Sequence, residues 1–228
     1  MVTSNMKIGA GLTAIIYIII QSYQAWVFDK IPETGNFLDD FLAGANTLHI
    51  IRSWLMLIAM FGLFYLFFTL CFDNYANNKA WSIIAFSAFF VFFFLEIIMR
   101  SVELLYIQTY LPKAYTSANS STRQQIILIV TVIQRVQGAL YFPLMAAQML
   151  GSFLLFLTYK SLLSIVWLLK AAFLINALRL AVRMVTVYGN VENTLGTLLD
   201  TSLYLPLVYI IYGSMAVWLL VSAKKRAV

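Results

Sequence analysis

Glu96, Arg100 and Glu103 lie in "LEIIMRSVELLYIQTY", residues 95–110, directly after the apolar run "WSIIAFSAFFVFFF". Their spacing of four and three puts them on one helical face. Carboxylate and guanidinium groups arranged this way can pair with each other, transfer a proton or grip an anion. A second set, Asn176, Arg179 and Arg183, has the same kind of spacing later in the chain. Two more groups join them: His49 with Arg52, and Gln134 with Arg135. Ionisable groups inside a membrane helix normally face a bundle interior or a watery cavity, because lipid solvates them poorly. Where these residues sit therefore depends on the helices that carry them.

Those helices are membrane helices. Of 228 residues, 62% are hydrophobic and 11% charged, against about 25% charged in a soluble domain. Apolar runs of about 20 residues match a bilayer's thickness. The expected fold is all-α, a polytopic membrane helix bundle of about six transmembrane helices in a single domain. Its spans are expected near 8–28, 46–72, 81–110, 124–159, 161–188 and 200–222. Pro112 is expected to close the third span, and Pro143 and Pro206 to kink their helices. One cysteine, Cys71, and one histidine are too few soft ligands for a zinc, haem or iron–sulfur site, so no metal or cofactor is expected. The net charge of +6 fits membrane orientation and anionic headgroups, and no nucleic-acid partner is expected.

Connections alternate between short ("DNYANNKA", "TYKS") and long ("DKIPETGNFLDDFLAGAN", "PKAYTSANSSTRQQ", "YGNVENTLG"). The short-loop face collects Lys7, Lys79, Lys160, Lys224, Lys225 and Arg226, against Lys30, Lys113 and Arg123 on the other. That bias favours cytoplasmic termini, although the five arginines embedded in helices lie toward the long-loop end and oppose it. Counting helix rise from Trp81 and Ser161 puts Glu96 and Asn176 both about 22 Å up, with the arginines above them and Lys170 alone at about 14 Å. Gln134, Tyr141 and Gln148 form a seven-residue polar stripe on the fourth helix, and Asp200 opens the last.

Two readings of this layer stay open. In one, Glu96, Arg100, Glu103, Arg179 and Arg183, with Arg52, His49 and Arg135, line a net-positive pocket near the long-loop face. Such a pocket suits a phosphate or carboxylate head, with apolar walls below for an acyl or isoprenoid tail. In the other, Glu96–Arg100 and Arg100–Glu103 pair within the helix, Glu103 staples to Arg183, and the remaining arginines snorkel.

Three motifs, "HIIRSW", "EIIMRSVELL" and "AAQMLGSFLLFLTYKS", resemble those of a family of uncharacterised bacterial six-helix membrane proteins, classed as a domain of unknown function. The resemblance implies six helices in a bacterial inner membrane and carries no activity. Expected partners are membrane lipids, with a homodimer or a partner membrane protein as further candidates. The leading function is binding of an anionic amphiphile or a partner helix. The alternatives are an intramembrane enzyme acting on a lipid headgroup, with Glu96 or Glu103 as acid/base and His49 as relay, and a small transporter. No catalytic residue can be named from the sequence.

Overall fold

The computed structural model describes residues 2–32, 34–161, 163–189, 194, 196, 198 and 202–224. Polar side chains start the helices: Thr3, Asn36, Asn46 and Asn119 each accept a hydrogen bond from a first-turn amide. Each such cap is worth about 1 kcal/mol. Among the described residues this gives α1 (Ser4–Lys30), a short α2 (Phe37–Ala43), α3 (Thr47–Tyr75) and α4 (Lys79–Ser117). Then follow α5 (Ser120–Thr158), α6 (Val166–Tyr188) and α7 (Tyr204–Lys224).

The six long helices form a closed ring in chain order. α1 packs on α3, α3 on α4, α4 on α5, α5 on α6, α6 on α7, and α7 back on α1. Ser4 Oγ donates to the Ala223 carbonyl at 3.1 Å, so the ring's two ends meet at the same level. That closure requires an even number of passes through the bundle, six in all. Five of the helices are long and apolar enough to cross a membrane. α6 is the sixth pass, and its 23 residues carry Lys170, Arg179 and Arg183. The outward surface is apolar, with Ile19, Leu128 and Trp167 each more than 60% exposed. A water-soluble protein rarely shows such a continuous apolar surface. The chain is a polytopic membrane helix bundle.

Several boundaries depart from the sequence expectation. α4 runs through Pro112 to Ser117, because residues 102–110 adopt a π-helical turn that absorbs the proline. There the Leu111 N–H bonds the Tyr106 carbonyl and Thr109 Oγ1 bonds the Leu104 carbonyl, both five residues back. Pro206 falls in the first turn of α7, where its missing N–H has no intrahelical acceptor to lose, so it need not kink the helix. α6 begins at Val166 and not at 161, so Lys170 lies only about 6 Å into its helix. Lys170 rests its ammonium 5.6 Å from the Phe156 ring. Asp200, Lys225 and Arg226 lie outside the described residues.

The short-loop half of the ring is filled. Phe67 and Phe89 approach to 4.3 Å between ring centroids, and Leu63, Leu66, Leu155 and Leu219 are fully buried around them. α4 and α5 touch closely at Gly151, where an added Cβ would stand 2.9 Å from the Phe89 ring. Gly151→Val should therefore cost about 1–3 kcal/mol of overpacking. Thermal unfolding in detergent would test this, and an unchanged midpoint would show that Phe89 can move aside.

At the bottom of the ring, Lys7 Nζ pairs with Asp73 Oδ2 at 3.0 Å, and Tyr159 Oη donates to the same oxygen at 2.7 Å. The Lys7 ammonium also lies 4.8 Å from the Trp218 ring, which meets Tyr159 edge-on. Lys7 is only 2% exposed, so it is an internal tie between α1 and α3 and not a charge of the short-loop surface.

At the opposite end α2 lies over the π turn of α4. Phe41 packs with Ile107, Leu111, Ile126 and Val130 in a second apolar cluster. The approach to α2 is held by Asp40 Oδ1, which accepts the Thr34 N–H at 2.7 Å and its hydroxyl at 2.9 Å. The Thr34 backbone N–H is the main reason the Asp40 carboxyl sits below its ordinary range, and the Thr34 hydroxyl adds to it. A lowered carboxylate stabilises at pH values above the ordinary value of about 3.9 and loses that effect as pH falls through the lowered one. Amide protection across residues 34–44, relative to the intrinsic exchange rate at each pH, is therefore expected to fall only below about pH 4. In Asp40→Asn it should be low at every pH, and equal protection in both proteins would exclude this latch.

Candidate functional site

The long-loop half of the ring is hollow. A cavity of about 780 Å³ is lined by all six long helices, within the range of small-molecule sites. α4 contributes Phe92, Glu96, Arg100 and Glu103; α6 contributes Arg179 and Arg183; α3 contributes Arg52 and Met60. Tyr141 and Gln148 come from α5, which realises the lower part of the polar stripe read from the sequence. Arg135 lines neither this cavity nor its neighbour and is exposed. It follows the stripe residue Gln134 by one position, about 100° around the helix.

The ion pairs are specific. Arg100 Nη2 pairs with Glu96 Oε1 one turn away, and Glu96 is 7% exposed. Glu103 Oε1 pairs with Arg52 Nη2 of α3 at 3.2 Å, where α6 had been expected to supply the partner. Gln108 Nε2 donates to the same Glu103 oxygen at 3.0 Å. The Arg52 guanidinium lies 4.6 Å from the Phe28 ring, a cation–π contact. Asn176, which shares a helical face with Arg179 and Arg183, turns to α5 and donates to Ser152 Oγ at 2.8 Å. Its Oδ1 accepts from Arg179 Nη2 at 3.4 Å, fixing that arginine beside the Tyr204 ring.

Four arginines against two glutamates leave the cavity net positive. Arg100 Nε and Arg179 Nε are buried with no hydrogen-bond partner among the described residues. A buried donor without an acceptor costs about 1–3 kcal/mol, which an anionic ligand can relieve if small side-chain shifts bring its oxygens within reach.

The opposite wall is a polar network not singled out in the sequence. Tyr204 Oη donates to Gln21 Oε1 at 3.1 Å, Gln24 Nε2 to the same oxygen at 3.4 Å, and Gln21 Nε2 to Tyr17 Oη at 2.6 Å. The signal was the four-and-three spacing of Tyr17, Gln21 and Gln24 on one face of α1. Apolar side chains line the same cavity beside the charged ones, among them Met60, Phe92, Leu144, Met145, Val208 and Ile211.

A second cavity, about 440 Å³, lies under α2 and is lined by Asp40, Phe41, His49, Gln108, Gln134 and Gln137, among others. Phe28, Arg52 and Glu103 line both cavities. His49 is 8% exposed, near Phe28, and belongs to the second cavity alone. Glu96 lines only the first, whereas Glu103, the other acid considered beside a His49 relay, lines the second together with His49. Among the described residues no group of three His, Cys, Asp or Glu side chains could hold a metal ion. No family model, curated protein or solved structure matches the chain, so its function is read from this geometry alone.

Proposed function

We propose that the protein is a membrane receptor or accessory protein that takes the anionic head of a lipid-like amphiphile into the ring. The observation that carries this reading is the net-positive cavity on one side of a ring whose other half is solid. Guanidinium groups grip phosphate or carboxylate in a bidentate way. The Arg100 and Arg179 donors are already positioned by Glu96 and Asn176. The cavity floor supports binding over transport, since a transporter must open its site to both sides and here Lys7, Asp73, Tyr159 and Trp218 close the far end.

The setting that fits is a cell inner membrane with both termini cytoplasmic. Membrane lipids are the main partners in this reading, and the apolar outer face leaves room for a second copy or another membrane protein. Native mass spectrometry of the detergent-extracted protein tests the reading. A retained lipid of anionic head, displaced by excess phosphatidic acid but not phosphatidylcholine, is the expected result. Retention of zwitterionic lipid with equal ease would overturn it. Lys170→Ala should leave the adduct unchanged, because Lys170 lies outside the cavity lining.

A further inference from the structure

The second cavity differs in chemistry from the first. Both linings carry three glutamine amides, but the second (Gln108, Gln134 and Gln137) adds the Asp40 carboxylate and His49, whereas the first (Gln21, Gln24 and Gln148) adds Arg100, Arg179 and Arg183. Gln108 spends its amide N–H on Glu103, and its carbonyl Oε1 is buried with no partner among the described residues. Gln108 as a whole is 6% exposed. A buried amide carbonyl of this kind needs a donor; an ionised phosphodiester supplies none, and a hydrocarbon tail none.

We infer that the two cavities are compartments of one site, for a phosphoester whose alcohol portion carries free hydroxyl groups. This rests on the anionic reading of the first cavity. The phosphate lies among Arg100, Arg179 and Arg183, and the hydroxyl-bearing portion passes Phe28, Arg52 and Glu103 to reach Gln108, Gln134 and Asp40. The two cavities share those three middle residues, so they are neighbours and not separate pockets. Hydroxyls both donate and accept, which matches a lining of amides and carboxylate.

An ammonium group would also donate to Gln108, but the second cavity favours hydroxyl. Asp40 is held by two Thr34 donors and Glu103 by Arg52 and Gln108. An incoming cation would have to displace those donors, and Arg52 in the shared wall repels it.

The test is a competition in nanodiscs of phosphatidylcholine, read by native mass spectrometry. Phosphatidylglycerol, phosphatidic acid and phosphatidylethanolamine of identical chains are compared. Phosphatidylglycerol should bind at least tenfold tighter than the other two. Gln108→Met should bring phosphatidylglycerol down to the level of phosphatidic acid. Gln134→Leu, at an exposed position that cannot be needed for folding to the same degree, should reduce the preference in the same direction.

Equal binding of phosphatidylglycerol and phosphatidic acid would overturn the inference and leave the anionic reading standing, whereas a preference for phosphatidylethanolamine would overturn both. Failure of every anionic lipid to exceed phosphatidylcholine would sink both. Competition by glycerophosphoglycerol, the same head without tails, would keep the hydroxylated phosphoester and place its source in water; no competition would place it in the bilayer.

Discussion

Arg100→Ala is expected to lose anionic-lipid binding by at least tenfold and, in the same protein, to lower stability by about 3–5 kcal/mol. The second effect arises because Glu96 is buried and the Arg100 guanidinium is its ion-pair partner. Removing the guanidinium strands a carboxylate where water cannot solvate it. Glu96→Gln/Arg100→Gln separates the two effects. With both charges gone, most of the stability should return while binding stays lost. Arg179→Ala isolates the binding term from the other side, since its partners are the neutral Asn176 and the Tyr204 ring. It should weaken binding with little change in unfolding midpoint. If the double variant regains binding along with stability, the arginines serve the fold and not a ligand.

Lys7→Met is expected to be as damaging, by about 3–5 kcal/mol, although Lys7 is far from the cavity. Its ammonium neutralises Asp73 inside the bundle, next to the Tyr159 hydroxyl. Lys7→Met/Asp73→Leu removes both charges and should recover much of the loss, since an apolar pair of similar volume can replace a buried ion pair. Denaturation in mixed micelles measures all three proteins. A single variant as stable as the parent would show that water reaches Asp73. Neither the single nor the double variant should alter lipid preference, which distinguishes this pair from Arg100.

What was legible in the sequence follows from what each signal depends on. Helix positions depend on apolar runs and capping residues, so the spans were read to within a few residues, apart from the start of α6 and the continuation of α4. That Glu96 shares a face with Arg100, and Arg179 with Arg183, depends on helical spacing, which is local and visible. Pairings across the ring are not local. Lys7 and Asp73 are 66 positions apart, and each sits at a helix end where a charge ordinarily meets water. Arg52 was grouped with the site but not paired with Glu103, because that contact depends on how α3 packs against α4. The π turn leaves no periodic trace in nine residues. α2, with seven, is too short to show one.

The hydrogen bond from Ser4 to Ala223 has a topological consequence. A ring whose neighbours in space are its neighbours in sequence has no privileged place to begin. Joining the two ends by a short linker and opening the chain at Asn77, in the turn between α3 and α4, would give a circular permutant with the same six contacts. The α7–α1 seam would then be formed within a continuous chain, and α3–α4 would become the last wall to close.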